Sequence, residues 1–145
     1  DCDFSHDPRD IARLVEAVRA GADVALGSRY TRHGAVADWG MARRFVSRGG
    51  SAYAQATLRL KVKDLTGGFK CFRREVLEAI ELESVRSHGY AFQVELTYRA
   101  VRLGFDVVEI PIPVRVREQG YSKMSWRIAV EAMWLVPQLR RWKPR

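Results

Sequence analysis

The sequence contains little cysteine, little histidine and no long apolar run, and each scarcity excludes a class of protein. Its two cysteines, Cys2 and Cys71, form no CxxC pair, so we expect no zinc site built on cysteine and two reduced thiols, as in a cytosolic protein. No run in the printed sequence reaches the ~20 apolar residues that a membrane-spanning helix needs. The three histidines fall in no pattern that indicates a catalytic triad.

Basic residues are abundant. Lysine and arginine number 25 against 17 acidic residues, which gives a formal net charge of +8. A basic surface indicates an acidic partner, which can be nucleic acid, an anionic membrane surface or a phosphorylated substrate. Nucleic-acid binding requires a recognised motif or a platform of basic and aromatic side chains, and neither is evident. We therefore expect no nucleic-acid partner.

Helical and strand patterns alternate along the chain and predict a mixed α/β fold. A hydrophobic fraction of 47% in 145 residues fits one domain with a real core. Asp7-Pro8 begins a helix that ends at Gly21, and a buried strand follows at 23–28. The later predictions are a loop, a helix at 41–60 that is interrupted or strained at Gly49-Gly50, a turn at 64–68, a strand at 69–72, helices at 73–82 and 90–103, an edge or irregular strand at 106–116, and a helix at 125–139.

Two carboxylates stand at the beginning of the chain, in the segment Asp1-Cys2-Asp3. They fall near the expected end of a strand, where ligand sites of α/β sheets are found. Two hard oxygen ligands at that place suit Mg²⁺ or Mn²⁺, with a substrate diphosphate completing the coordination shell. The alternative is a polar turn that only leads into the first helix.

Cationic side chains of the kind that bind phosphate fall in three groups. Arg29 directly follows the first apolar strand. Arg43 and Ser47 are four residues apart and share one face of a predicted helix. Arg117 and Lys123 lie in a predicted loop near the last helix. The alternative for each residue is ordinary solvated surface charge.

Two further segments lie at predicted turns. Asp64-Leu65-Thr66-Gly67-Gly68-Phe69 is a glycine-bearing turn before a strand, and its simplest interpretation is a tight turn. Ser87-His88-Gly89-Tyr90-Ala91-Phe92-Gln93-Val94-Glu95 opens a helix. His88 in that segment is most simply a polar surface residue. Gln93 and Glu95 are two apart, so they do not share a helix face.

Taken together, these segments resemble the dolichol-phosphate (polyprenol-phosphate) mannose synthases of glycosyltransferase family 2. The matching segments are Asp1-Cys2-Asp3-Phe4-Ser5-His6-Asp7-Pro8, Gly27-Ser28-Arg29-Tyr30, Arg43-Arg44-Phe45-Val46-Ser47-Arg48-Gly49-Gly50, Asp64-Leu65-Thr66-Gly67-Gly68-Phe69, Gly89-Tyr90-Ala91-Phe92-Gln93-Val94-Glu95 and Ser122-Lys123-Met124. They occur in the family's order over nearly the whole chain. The first two are shared by many family 2 transferases, whereas the last two are more specific to the polyprenyl-phosphate branch.

The resemblance implies a GT-A fold, which is Rossmann-like with a mixed sheet. Residues 1–145 would form the acceptor-side part of one glycosyltransferase domain, and the donor-nucleotide half would precede residue 1. Asp1, Asp3 and Ser5 would be the metal site, for Mg²⁺ or Mn²⁺. Ser5 departs from relatives that carry glutamine there, and serine is the poorer direct ligand, so a water would take its place.

The resemblance also assigns the acceptor phosphate to Arg29, Arg43 and Ser47, and it places Arg117 and Lys123 in a loop that closes over the site. The implied reaction is the transfer of mannose, with inversion, from GDP-mannose to a polyprenyl monophosphate at the cytoplasmic face of a membrane. A phosphate monoester has a second pKa of about 6 and is largely ionised at neutral pH, so no strong general base is needed.

Catalysis would then depend on positioning and on charge stabilisation. Asp3, Arg29, Arg43 and Asp64 would be the catalytic residues. Gln93 and Glu95 would bind the donor sugar. Two alternatives remain open: transfer of glucose from UDP-glucose to the same kind of acceptor, and a fragment that binds lipid phosphate without catalysing transfer.

The last predicted helix contains Trp126 and Trp134 and is followed by a basic tail. An amphipathic helix of this composition can lie on a membrane surface. The alternative is that the helix packs on the core of the protein. A peripheral contact with the membrane, with or without a membrane-anchoring partner protein or domain, is therefore the expectation.

Overall fold

The computed structural model describes residues 6–31, 35–36, 41–85, 87–114 and 126–143. Their elements are α1 (Arg9–Arg19), β1 (Val24–Ser28), β2 (Ala35–Val36), α2 (Met41–Leu58), β3 (Lys70–Phe72), α3 (Arg74–Ile80), a 3-10 turn (Leu82–Ser84), α4 (Gly89–Arg102), β4 (Val107–Pro111), β5 (Pro113–Val114) and α5 (Trp126–Leu139). The predicted mixed α/β class is confirmed, and it is consistent with a GT-A fold.

A three-stranded sheet in the order β3–β1–β4 lies at the centre of the described residues. β1 pairs antiparallel with β3 and parallel with β4, so that Val24 lies between Phe72 and Val107. Every residue of β1 is buried. The continuous apolar character of this strand follows from its central position, because both of its faces are covered.

The predicted strand at 106–116 is divided in two by its prolines. β4 ends at Pro111, Ile112 donates its backbone N–H to Ser28 O at 3.1 Å, and β5 begins at Pro113. Proline lacks the N–H that a central strand must donate, and β4 is an edge of its sheet within the described residues. β5 pairs with β2, and β2 lies in a segment for which the sequence predicted only a loop. Residues 115–120 lie outside the described part of the chain.

α2 passes through Gly49-Gly50 without a break, so the predicted interruption is wrong. Consecutive glycines destabilise an isolated helix, by about 1 kcal/mol each relative to alanine. Burial of one face supplies the missing stability: the buried positions at helical spacing are Ser47, Ser51, Ala54 and Leu58. Both glycines lie in the exposed part of the same helix.

α4 lies between two hydrophobic clusters. On one side Val94 and Tyr98 pack with Leu65 of the glycine turn and with buried residues of α2 and α5. On the other side Leu96 and Ala100 pack with α3 and with the start of β1. Because α4 is covered on both sides, most of its residues from Ala91 to Ala100 are buried.

Candidate functional site

The carboxyl end of β1 leads into a buried ion pair. Arg29 donates to both oxygens of Asp64, from Nε to Oδ2 at 2.7 Å and from Nη2 to Oδ1 at 2.6 Å. Its backbone N–H also donates to Asp64 Oδ2, at 2.9 Å. The side chain of Asp64 is 0% exposed and that of Arg29 is 10% exposed. This is the bidentate arrangement in which a guanidinium group is most strongly oriented.

Residues of the glycine turn and of β4 hold Asp64 in place. The backbone N–H groups of Lys63 and Asp64 donate to the carboxylate of Glu109, at 2.9 and 3.1 Å. Thr66 Oγ1 accepts a further hydrogen bond from Arg29, at 2.9 Å. A Cβ atom on Gly67 would lie 3.4 Å from Asp64 Oδ1, so the turn closes tightly around the carboxylate.

Arg29 keeps its charge in this environment. Burial lowers the pKa of its guanidinium group, but the hydrogen bonds and the charge of Asp64 outweigh burial, and the pKa is raised overall. The structure therefore provides a fixed positive charge at the end of the central strand. Its assignment to an acceptor phosphate stays a prediction, and so does the catalytic role of Asp64, whose two oxygens are both bound to Arg29.

Tyr30 connects this strand end to α2. Its hydroxyl donates to Ser47 Oγ at 2.6 Å. The guanidinium carbons of Arg29 and Arg48 lie 5.3 and 5.8 Å from the centre of its ring. Two of the predicted phosphate-binding residues therefore contact one tyrosine side chain, Arg29 over its ring and Ser47 at its hydroxyl. Arg43 stands one helical turn before Ser47, but its side chain is outside the described part.

Lys70 is a residue of this site that the sequence analysis missed. It opens β3, opposite Leu26 of the central strand. Its Nζ donates to the backbone oxygen of Gln93 at 2.7 Å and to Thr97 Oγ1 at 2.9 Å. Burial, opposed by the charge of Asp64 and assisted by that of Arg29, lowers the pKa of Lys70 to about 7. Lys70 thus joins the Asp64–Arg29 pair electrostatically.

Gln93 and Glu95 lie in different surroundings, as their spacing predicted. A Cβ atom on Gly68 would lie 3.5 Å from Gln93 Nε2, so the amide of Gln93 stands over the glycine turn. Glu95 is buried, pairs with Arg99 and accepts the backbone N–H of Ser87 at 3.2 Å. Because both of its carboxylate oxygens have partners inside the protein, the structure gives Glu95 a structural role and does not support its assignment to the donor sugar.

His6 links the glycine turn to the segment that precedes it. Its ring stacks on Phe69, with ring centres 4.8 Å apart and planes inclined by 17°. Asp1, Asp3 and Ser5, which were predicted to bind the metal, lie outside the described residues, as do Arg117 and Lys123. Oxygen ligands such as these suit a hard divalent cation. Among the residues that are described, no three His, Cys, Asp or Glu side chains form a group that could hold a metal.

Charged groups are thus fixed at the carboxyl end of a central strand, which is where ligand sites of α/β sheets are found. The family model of glycosyl transferase family 2 matches residues 1–81, which is more than half of the chain. The chain therefore belongs to glycosyl transferase family 2. The matched part includes Arg29, Asp64 and Lys70, whereas Gln93 lies beyond it.

Three curated relatives match almost the entire chain. Polyprenol monophosphomannose synthase of Mycolicibacterium smegmatis is 46% identical over 138 residues, which are 95% of this chain and 52% of that protein. Undecaprenyl-phosphate mannosyltransferase of Micrococcus luteus is 43% identical over 142 residues, with 98% and 57% covered. Dolichol-phosphate mannosyltransferase of Pyrococcus furiosus is 31% identical over 145 residues, with 99% and 40% covered. The chain spans about half the length of the curated relatives it matches.

Proposed function

We propose that this chain is part of an enzyme that transfers mannose, with inversion, from GDP-mannose to a polyprenyl monophosphate. The observation that carries the proposal is the buried Arg29–Asp64 pair, which fixes a guanidinium group at the end of β1, where an anionic substrate would bind. The names of the three relatives support the chemical class, since each joins mannose to a polyprenol, undecaprenyl or dolichol carrier.

The reaction brings together two anions, a lipid phosphate and a sugar diphosphate. Two unit charges 4 Å apart repel each other by about 4 kcal/mol at an effective dielectric constant near 20. The fixed charge of Arg29 offsets this repulsion, and we assign Arg43 and Ser47 to the same task on the acceptor phosphate. Since that phosphate is already ionised at neutral pH, the site needs no strong general base.

Asp1, Asp3 and Ser5 are assigned to a Mg²⁺ or Mn²⁺ ion on the donor side. When bound, the ion would supply positive charge to the leaving diphosphate. The stacking of His6 on Phe69 supports this assignment, because it keeps the residue that follows Ser5 against the glycine turn. Gln93, whose amide stands over Gly68, is assigned to the orientation of the donor sugar.

An exposed apolar surface on α2 and α5 supports a contact with the membrane in which the lipid acceptor resides. Met41 is 87% exposed, Phe45 82% and Trp134 73%. The hydroxyl of Tyr53 on α2 donates to Met133 O on α5 at 2.8 Å, so the two helices are joined. Among the described residues no helix has the length and apolar character needed to cross a bilayer. We assign the protein a peripheral contact at the cytoplasmic face.

α5 has a buried side and an exposed apolar side, so the two roles that the sequence left as alternatives do not exclude each other. Val136 and Leu139 are buried in the core, whereas Met133 and Trp134 are exposed. Co-sedimentation with anionic vesicles tests the membrane role: we expect binding that Trp134→Ser weakens by about 1 kcal/mol, less than full burial of a large apolar side chain provides. Equal binding of both proteins would contradict this role for Trp134.

The transfer itself is tested with the protein at its full natural length. GDP-mannose and UDP-glucose are supplied in separate reactions with a short-chain polyprenyl phosphate, and the glycolipid product is measured. We expect product with GDP-mannose only, and its loss in Asp3→Ala. Product with UDP-glucose only would replace the proposed donor, absence of product with either would reject the function, and full activity of Asp3→Ala would reject the metal assignment.

A further inference from the structure

We propose that Lys70 is a further substrate-binding group of this site, a cation that joins Arg29 in holding phosphate oxygens of the substrate beside the Gly67-Gly68 turn. The identity of the phosphate compound rests on the proposed function. The binding of a phosphate group by Lys70 does not depend on the proposed function, because it is argued from the charges and hydrogen bonds around the lysine.

Among the described residues, one carboxylate and one further cation act on Lys70 electrostatically. The carboxylate is Asp64, and both of its oxygens are bound to the cation, Arg29. The hydrogen-bond acceptors of Lys70, Gln93 O and Thr97 Oγ1, are both neutral. Two cations therefore share one carboxylate in this part of the described structure. A buried ammonium group with too little counter-charge is destabilising, which favours the neutral amine, and a bound phosphate favours the charged form.

The hydrogen bonds of Lys70 suit this role as well. A neutral lysine amine has two N–H donors, and the described residues supply two acceptors for them. The ammonium form has a third N–H, for which a phosphate oxygen is a strong acceptor. Gly68, two residues before Lys70, is exposed and has no side chain, and the amide of Gln93 lies beside it.

Proton uptake follows from this arrangement. The pKa of Lys70 is lowered to about 7 by burial and by Arg29, against the opposing effect of Asp64. A phosphate bound nearby raises that pKa, so binding draws a proton onto the amine. Affinity should fall as the pH rises from 7 towards the pKa of the complex, by up to tenfold per pH unit.

Other titratable groups stand near Lys70, and the experiment must separate them from it. His6 stacks on Phe69, and Tyr90 of α4 acts electrostatically on Arg29. Glu109 of β4 holds the backbone of the turn at Lys63. A substitution at Lys70 itself therefore has to show which group takes up the proton.

Calorimetry on the protein at its full natural length tests the proposal. GDP-mannose and a short-chain polyprenyl phosphate are titrated in separate arms, in buffers of different ionisation enthalpy, between pH 7 and 9. For a pKa of about 7, we expect wild-type uptake of about half a proton at pH 7 and about 0.9 at pH 8 in at least one arm. The arm that shows uptake identifies the phosphate that Lys70 contacts.

Three variants assign the proton. Lys70→Met should lose the uptake and the fall in affinity above pH 7. Lys70→Arg, which stays charged, should bind without uptake. Lys61→Met, the matched change at an exposed lysine, should behave as the wild type.

No uptake by the wild type in either arm, or unchanged uptake in Lys70→Met, would overturn the inference. Uptake that Lys70→Met abolishes in a protein that transfers no mannose would reject the proposed function and leave the inference standing. Mannose transfer by a protein whose substrate affinity does not change with pH would support the proposed function and reject the inference about Lys70.

Discussion

Two buried arginine–carboxylate pairs occupy different parts of this molecule. Arg29–Asp64 lies at the end of the central strand, and Arg99–Glu95 lies inside the domain, between α4 and the 3-10 turn. The inner arginine also donates to Ile80 O and to Ser84, and its guanidinium carbon lies 5.0 Å from the centre of the Trp142 ring. Within the described residues, the guanidinium group of Arg99 is therefore surrounded by protein.

The outer pair differs because a second cation stands beside it. Both members of the Arg29–Asp64 pair act electrostatically on Lys70, whereas the described hydrogen-bond partners of the inner pair are neutral groups. An arginine–carboxylate pair therefore has only neutral described partners at one place and a third titratable group beside it at the other. Burial and pairing alone do not distinguish a structural ion pair from a functional one; the balance of the neighbouring charges does.

Removal of the inner carboxylate should produce the largest effect. We expect Glu95→Ala to lower the free energy of unfolding by about 3–5 kcal/mol, because it leaves Arg99 buried and unpaired. Urea denaturation measures the change, and saturating substrate should not restore the loss. Glu78→Ala is the control, since it breaks an exposed pair on α3 that is worth about 0.5 kcal/mol or less. Similar losses in both variants would contradict the structural role of Glu95.

Removal of the outer carboxylate should act on transfer. We expect Asp64→Asn to lower kcat/KM by about 10²–10³, the loss typical of a displaced charge-stabilising group, because Arg29 loses its bidentate partner. Steady-state mannose transfer measures the effect.

Asp23→Asn is the matched control for this change, because Asp23 precedes β1 and pairs with Arg73 at the opposite end of the strand, at 3.7 Å. It should leave kcat/KM within a few-fold of the wild type. Unchanged transfer in Asp64→Asn would show that the two buried pairs have the same, purely structural role.

A smaller effect is expected at the tyrosine that joins the outer pair to α2. Tyr30→Phe removes the hydrogen bond to Ser47, worth about 0.5–1.5 kcal/mol, so KM for the polyprenyl phosphate should rise by about two- to tenfold. Tyr53→Phe removes a hydrogen bond from the same helix to α5 and should leave that KM unchanged. A rise in the control variant alone would place the acceptor nearer to α5 than to Tyr30.

The sequence indicated the members of the outer pair but not their partnership. Arg29 was marked because it follows an apolar strand, and Asp64 because it opens a glycine turn. They are 35 residues apart, and only the packing of the turn against β1 brings them together. Lys70 gave no signal, because a strand of three residues is too short to show which side chains face inward.

Short length also explains why β2 and β5 were not predicted. Each has two residues, and nothing in so short a segment distinguishes a strand from a loop. α2 continues through Gly49-Gly50 because its buried face outweighs local propensity. For Gln93 and Glu95, by contrast, helical periodicity was enough to predict that the two side chains point in different directions.

α2 has a consequence for the length of the path that a lipid phosphate must travel. Ser47 is buried and bound to Tyr30, while Phe45, two residues earlier, is exposed on the surface that we assign to the membrane. A helix is only about 10–12 Å across with its side chains. With that surface resting on the bilayer, the phosphate headgroup can reach Arg29 without leaving the membrane surface. Its hydrocarbon chain then stays in the bilayer and is not exposed to water.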